Sequence, residues 1–600
     1  MSKKIASDVL TNARIASVWT GSYITAMPFI LADFKVGAVL PTVFYMFRWG
    51  HRRGRGAFKS TFSPGDGRRP TVDSVVDGLA ASTDFRGAET TLSRSVLGDL
   101  LLAYCVENRR RAEGRGEQVQ RVFPTHYMSS WIDLPDTVAD LRRVPEMLVA
   151  TLVNQDDGDE LTTTGGNRRL PLHCAIQDNE LLALFGAGMS VRPELGIRGD
   201  VFDEEAPVGL DQLLTIRLAQ KCGEAPGRAT GKGEPGVIAN QRPVATAATR
   251  LFREDFRVFV RAYGESIPRL SLLPMMESCI AIGLTTTFLA SGAMLEAWSR
   301  DGRLPDATAQ TPWPLFVDCS LAMDRDLQHA AEQSMDNCRR RLESLPTTLM
   351  CLRLLDYEAK HNESIVRSGL PGRHPVATDW LNLLGTLADG SHEESWPMMK
   401  YFFSPKCREL AEALSQEDPS HPAIDILLSD SAQRLPVWRL AEALTHLYGR
   451  RALRGDLFEF FNACLMVNEP NGLARSRRVT RRQREGRRTS EMYSIVLSNT
   501  AIEYLVHRHL RRSGKGCKAA RLSLPAFLQL LRERYGLFID RAPADLAVPN
   551  DLLLRNRMFF ERRLRDLGLL VGVNDAESMK RLRQRFDASG DGDGDGDGNE

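Results

Sequence analysis

Apolar positions along this chain recur mostly at helical spacing. Val138, Leu141, Val144, Met147, Leu148 and Leu152 return every three or four residues, which predicts a helix over 136–153 that Pro145 kinks or divides. Met323, Leu327, Ala330, Met335, Cys338 and Leu342 form one stripe, predicting a long amphipathic helix over 323–345. Arg339, Arg340 and Arg341 fall in its last turns, where cations complement the helix dipole. Residues 246–314 are also helical in pattern. Further on, Trp438, Leu440, Ala441, Leu444, Leu447 and Tyr448 predict a helix over 435–448, and Asp456 is placed to cap another over 457–467. Ser498 or Asn499 can cap a helix through Leu510. Ser523 with Pro525 opens one that ends near Tyr535 and Gly536, Pro549 with Asn550 opens a longer one, and Asp575 is placed to cap a last helix to Phe586.

Strand patterns are fewer. Phe34 to Trp49 is rich in β-branched and aromatic residues and reads as a strand or buried extended segment; Met492–Leu497 and Leu569–Val573 read as short strands. Two uncharged windows, 15–32 and 278–295, resemble membrane spans in composition. The first is broken by Ser, Thr, Gly and Pro. The second barely reaches spanning length and holds Thr285, Thr286, Thr287 and Ser291, so both read as buried core and no membrane partner is expected. The predicted fold class is multidomain, mainly α with minor β (α+β). Polar and Gly/Pro-rich stretches divide it into 1–154, an α+β domain with a basic Gly/Arg loop; 170–315, mainly helical; 316–430, helical with the long amphipathic helix; 431–586, a basic, winged-helix-like C-terminal domain; and 587–600, a disordered acidic tail.

Composition changes this picture little. Six hundred residues exceed a single core, and 43% apolar with 26% charged residues is ordinary for a globular chain. Ten cysteines are scattered singly with no C-x-x-C pair, which fits reduced thiols in a cytoplasmic protein, and MSKKIASDVL lacks the apolar run of a secretory signal. The net charge is only +2, so any basic function must be local.

Local basicity is marked in three places. Arg475, Arg477, Arg478, Arg481, Arg482, Arg484, Arg487 and Arg488 stand against a single acid, Glu485, in fourteen residues read as a loop between a helix and a strand. Arg52, Arg53, Arg55, Lys59, Arg68 and Arg69 lie among glycines, with Phe58 and Phe62 between them. The helix from Asn550 carries Arg555, Arg557, Arg562, Arg563 and Arg565. Arginine offers forked donors suited to phosphate, and glycine lets backbone approach a ligand. Three helices followed by a short strand, with basic residues on the third helix, are compatible with a winged-helix module. These residues are the candidate nucleic-acid contacts; an acidic protein partner would suit the same arginines.

Other candidate chemistry is thinner. Glu358-x-Lys360 follows an apolar run, with Asp318 upstream, which is the residue set of a metal-dependent nuclease: two acids hold a divalent ion and lysine assists the attacking water. The same run reads as a helix with Glu358 and Lys360 facing solvent. LLALFGAGMS, with Gly186 and Gly188, reads as a turn, since valine stands where a dinucleotide fingerprint needs its third glycine. GRATGK is one residue short of a phosphate-binding loop, and its lysine is followed by Gly233. His507 and His509, two residues apart on a helix, do not share a face. The tail DGDGDGDGNE lacks the acid that a calcium loop requires at position twelve. No cofactor and no metal are expected; an acidic tail can mask the arginines.

The segments LSLPAFLQLLRERYGLFID, RRLRDLGLLVGVNDAES, FYMFRWGHRRGRGAF and PLFVDCSLAMDRDLQHAAEQ resemble large uncharacterised proteins encoded in bacterial anti-phage defence operons. The nearest are the methylation-associated defence systems, in which methyltransferases, a kinase-like protein and an ATPase are encoded together. The resemblance implies a subunit with methyltransferase and ATPase partners and lends no catalytic residues. The function expected is a non-catalytic, DNA-contacting subunit; a nuclease using Asp318, Glu358 and Lys360, or a pure protein scaffold, stays open.

Overall fold

The computed structural model describes residues 2–10, 23, 25–65, 69–82, 85–109, 118–132, 141–153, 168–169, 174–192, 199–227, 237–238, 243–306, 311–368, 377–429, 435–483, 486–514, 517–572 and 580–588. Helices dominate and the strands form small two-stranded sheets, so the mainly α, minor β expectation holds.

Helix Val39–Trp49 (α1) occupies the segment expected to be extended. Its residues are buried almost all round, so it shows no polar face and no helical period, and a short apolar run of that kind fits helix or strand. Gly50, left-handed at φ 68°, ends it. Buried Arg48 forks onto Asp200 (2.9 Å), which also accepts from Tyr127 (2.6 Å). Helix Val144–Val153 (α2) begins beside Pro145 instead of being kinked by it. A proline in the first turn has no intrahelical amide bond to lose. Residues 136–140 of the expected helix lie outside the described residues.

Thr246–Tyr263 (α3) and the 33-residue Arg269–Asp301 (α4) form the centre. The apolar stretch of α4 that is long enough to cross a bilayer is 94% buried, so its surroundings are protein, as the core reading expected. The short strand Leu315–Phe316 (β1) follows. Arg325–Leu342 (α5) is capped by Asp324, whose carboxylate accepts from the amides of Asp326 (3.0 Å) and Leu327 (3.3 Å). Leu327, Ala330, Met335, Cys338 and Leu342 are buried as the stripe predicts. Met323 is not: it precedes the cap and is exposed. Leu345–His361 (α6) packs on α4 and on Pro436–Tyr448 (α7). Arg450–Cys464 (α8) passes through Asp456, so that residue is interior and not the expected cap; Gly449, at φ 88°, makes the break instead.

Two ten-residue strands, Ala474–Gln483 (β2) and Gly486–Ile495 (β3), precede Asn499–His509 (α9). Leu524–Tyr535 (α10), the strand Leu537–Phe538 (β4), Asn550–Asp566 (α11) and the antiparallel pair Leu570–Val571 (β5) and Arg581–Leu582 (β6) complete the chain. Ser498 and Ser523 cap α9 and α10, Gly536 ends α10 at φ 68°, and α11 starts at Asn550, as their sequence signals indicate. Arg581–Leu582 is a strand and not part of a last helix, because its backbone joins β5 and bridges Ser523. Residues 573–579 lie outside the described residues.

Distant parts of the chain meet at β1. It pairs in parallel with β4, and Val317 bridges Ile495 at the end of β3. Asn556 of α11, fully buried, donates to the carbonyls of Val317 (2.8 Å) and Ile539 (2.9 Å) and accepts from the amide of Cys319 (2.9 Å). Asp255 of α3 pairs with Arg508 (2.7 Å) and Arg534 (2.5 Å) and accepts from Tyr535 (2.7 Å). His507 and His509 are core residues. His507 Nε2 accepts from the amides of Arg585 (3.0 Å) and Phe586 (3.2 Å), and His509 Nε2 lies 2.8 Å from the Tyr535 hydroxyl. One continuous apolar cluster takes in buried residues from Ala6 to Ala588, and all ten cysteines are free thiols.

Candidate nucleic-acid interface

The arginine-rich stretch expected as a loop is the greater part of a β-hairpin. β2 and β3 pair antiparallel from Ala474↔Ile495 to Gln483↔Gly486, and Arg484 and Glu485 join them. β-Branched Val479, Thr480 and Thr489 favour extended backbone, and the hydroxyls of Thr480 and Thr489 lie 3.1 Å apart across the ladder. Arginine does not oppose this, because its long stem leaves the pleat for solvent.

The base of the hairpin is held firmly. Ala474 and Ile495 are buried. Arg477 grips Glu332 of α5 with two donors (2.5 and 2.8 Å), and Glu332 is itself buried. The guanidinium of Arg339, also on α5, stacks on Tyr493 at 3.7 Å. Asn468 accepts from the amide of Ser476 (2.9 Å), and Arg475 reaches the carbonyl of Leu321 (3.4 Å). Glu332 and Asn468 carry no sequence signal for this role; Glu332 lies 145 residues before the arginine it holds.

Farther out, polarity is unbalanced. Arg478 stands opposite Glu491, but Glu491 already accepts from Ser476 (3.0 Å) and Tyr493 (2.8 Å). The backbone register then sets Arg481 directly opposite Arg488 and Arg482 directly opposite Arg487. The side chains of 481–488 lie outside the described residues. Facing cross-strand positions are roughly 5 Å apart, and like charges there oppose pairing by about 0.2–1 kcal/mol each. The backbone register therefore gathers four arginine positions next to the turn of the ribbon.

The other basic residues are seated differently. Arg52 pairs with Glu146 of α2, Arg53 donates to the carbonyl of Ile132 (2.6 Å), and the amide of Gly54 donates to Gly227 (2.7 Å). Phe58 and Phe62 are core residues, so they offer no stacking surface between the arginines. Arg55 and Lys59 are exposed. Arg69 donates to Gln118 (3.4 Å), while Arg68 lies outside the described residues. On α11, Arg555 meets Asp324 (3.0 Å) and Asp326 (3.4 Å), Arg557 meets Glu561 (3.3 Å), and Arg562 meets Asp566 (3.8 Å). Arg563 is buried and donates to the carbonyl of Leu497 (2.6 Å) and to Asn499 (2.8 Å).

Asp318 is fully buried; it accepts from the amide and hydroxyl of Ser320 (2.8 and 2.6 Å) and the amide of Ala322 (2.9 Å). Those bonds shape a turn in which Leu321 and Ala322 have φ of 59° and 65°. Burial raises its pKa. Glu358 and Lys360 lie two residues apart on α6, hence on different sides, and Lys360 pairs with Asp356 (2.7 Å). Burial pushes the Glu358 carboxyl up to about 7. Among the described residues no group of three or more His, Cys, Asp or Glu is disposed to hold a metal. Gly186 and Gly188 turn the chain from helix Glu180–Phe185 into strand Met189–Val191, as the turn reading expected. A cavity of about 270 Å³ lies between 33–38, Glu107, Gln120 and Arg121, and the segment from Asn462 to Asn471, where Arg121 pairs with buried Glu277 and Asn471 donates to it (2.8 Å).

The family model for the methylation-associated defense system protein MAD7 matches residues 167–586. The chain belongs to this family. The MAD7 match begins just before the 168–169 strand and takes in the hairpin, the central helices and everything through β6, while α1, α2 and the basic loop at 52–69 precede it. Membership makes this a defence-system protein, in agreement with the resemblance read from the sequence. No curated protein and no solved structure matches the chain.

Proposed function

We propose that this protein is a non-catalytic subunit of a methylation-associated anti-phage defence complex and that it contacts DNA through the β2–β3 hairpin. MAD7 membership supports the defence role and partners encoded beside it, such as methyltransferase and ATPase subunits. The observation that carries DNA contact is the hairpin register, which sets position 481 opposite 488 and position 482 opposite 487, all arginine, beyond a firmly held base. Such a placement costs stability unless an anion neutralises it. Ten residues of strand reach about 30 Å, and a two-stranded ribbon fits the major groove. The order α9, Ser523, α10, α11, β5, β6, with Ser523 bridging Arg581, has the connectivity of a winged-helix module and supports that reading of the C-terminal region. Since Arg555 and Arg557 of α11 meet acids and Arg563 is buried on interior partners, we take the hairpin as the principal contact.

Binding through phosphates depends steeply on salt, with log K falling by about 0.9 per log unit of salt for each phosphate neutralised. Anisotropy titrations of a labelled duplex over a salt series are expected to show a steep slope. Replacing Arg478, Arg481, Arg482 and Arg488 by Gln should weaken binding and flatten that slope. Absence of any affinity at low salt would end the DNA reading in favour of an acidic protein partner. The duplex is expected to stay intact with magnesium; cleavage abolished by Glu358→Gln would instead make the protein a nuclease.

A further inference from the structure

Helix α11 shows solvent an ordered stripe. The side chains of Asp551 and Arg562 are 77% and 78% exposed, and between them Leu554 and Met558 are 61% and 67% exposed. At about 100° per residue these four lie within roughly 80° of arc. The opposite side, with Leu552, Asn556, Phe560 and Leu564, is buried, so the helix is well seated and the stripe is a surface it holds outward. Leu554 and Met558 thus place two large apolar side chains, one turn apart and mostly in water, on a helix that has already buried its other face.

Along the stripe the order is acid, apolar, apolar, base, with Arg565, 52% exposed, continuing it as a second base beyond Arg562. The midpoint of the apolar pair and the midpoint of the charged pair both fall at Asn556–Arg557, within half a residue of each other. Two copies laid antiparallel across that point bring Leu554 against Met558 of the partner subunit, and Met558 against Leu554 of the partner subunit. In the same register Asp551 meets Arg562 of the partner subunit at each end. A parallel arrangement would put acid on acid. The end charges are available for this, since Arg562 lies 3.8 Å from Asp566 and Asp551 lies 4.0 Å from Arg555, long and exposed pairs of little strength. Met323, 72% exposed, is adjacent to Asp324, which holds Arg555, and adds apolar area at the flank.

We propose that this protein self-associates as a two-fold dimer through an antiparallel α11–α11 contact centred on Leu554 and Met558. The surface is self-complementary, as a two-fold interface must be. A duplex is disfavoured here, because the centre of the stripe is apolar and one end is acidic. The contact is independent of the hairpin and is tested without nucleic acid.

Sedimentation velocity of the full chain over a concentration series tests it. The wild-type protein is expected to pass from monomer to dimer as concentration rises. Met558→Glu should raise the dimer dissociation constant at least about tenfold while leaving the melting temperature unchanged, since the side chain is exposed. Asp551→Arg and Arg562→Asp should each weaken the dimer, and the two together should restore it. A wild-type chain that remains monomeric at every concentration overturns the proposal. So does a double exchange that fails to recover what the single exchanges lose.

Discussion

His507 holds its place by being neutral. Its Nδ1 hydrogen donates to the carbonyl of Glu503 (2.8 Å), which leaves the Nε2 lone pair to receive two backbone amides from the last described segment. Burial, with Arg585 and Arg511 nearby, lowers its pKa to about 4. The unfolded chain takes up the proton near pH 6.5, so the folded state loses stability as pH falls from there toward 4, by about 1.4 kcal/mol per unit of pH for this one group. Urea unfolding at pH 7 and pH 5 measures the loss, and His507→Gln should shrink it by roughly that slope. An identical pH dependence in the variant would show that His507 stays neutral for no energetic reason. His509, buried beside Arg508 and Arg534, shifts in the same direction. From the sequence, i and i+2 spacing already tells against a shared metal; that both rings lie in the core depends on partners 26 and 78 residues away.

Elements were legible where a local signal was sufficient. Ser498, Ser523 with Pro525, Gly536 and Asn550 each mark a helix end found in the structure, because capping is chemistry within one turn. α1 is not legible as a helix because it is buried on all sides, and periodicity requires one polar face. The arginine stretch is not legible as a hairpin because a run of like charge resembles a solvated loop, whereas the strand is set by a partner strand and by Glu332 on another helix. The difference matters energetically. Replacing Arg481 and Arg482 by Thr removes two facing like-charge pairs and adds β-branched residues, so the hairpin should gain about 0.2–1 kcal/mol per pair in the absence of ligand. Amide exchange of β2 and β3 should slow accordingly, while affinity for a duplex drops. Faster exchange in that variant would mean that the arginines contribute to the fold and not to a ligand.

On the scale of the molecule, a single side chain ties three regions. Asn556 of α11 hydrogen-bonds Val317 and Cys319 in the segment after β1 and Ile539 in the segment after β4, so α11 and two segments more than two hundred positions apart meet at one amide. Asn556→Leu keeps much of the volume but leaves two carbonyls and an amide without partners, an expected cost of about 2–4 kcal/mol. Denaturant midpoints by fluorescence and by circular dichroism should fall together, because Leu315, Val317, Phe560 and Leu564 tie β1 and α11 into the main apolar cluster. If only one probe moves, β1 is not a keystone. Such long-range ties were invisible along the chain: mainly helical content followed from the pattern, but the meeting of 315–317 with 495 and 537 did not. The candidate contacts were located by composition alone, and only the fold shows Arg477 anchored to Glu332 at the base of the hairpin.

The hairpin has one more consequence, for cleavage. A ribbon dense in arginine, pinned at its base and weakly paired towards its turn, opens locally far more often than the domain unfolds. Trypsin should therefore nick this protein first between Arg478 and Arg488, leaving two fragments held together by β1 and α5. Whatever neutralises the ribbon closes that site, so the rate of a single proteolytic cut reports occupancy of the arm, with no need to know beforehand what the occupant is.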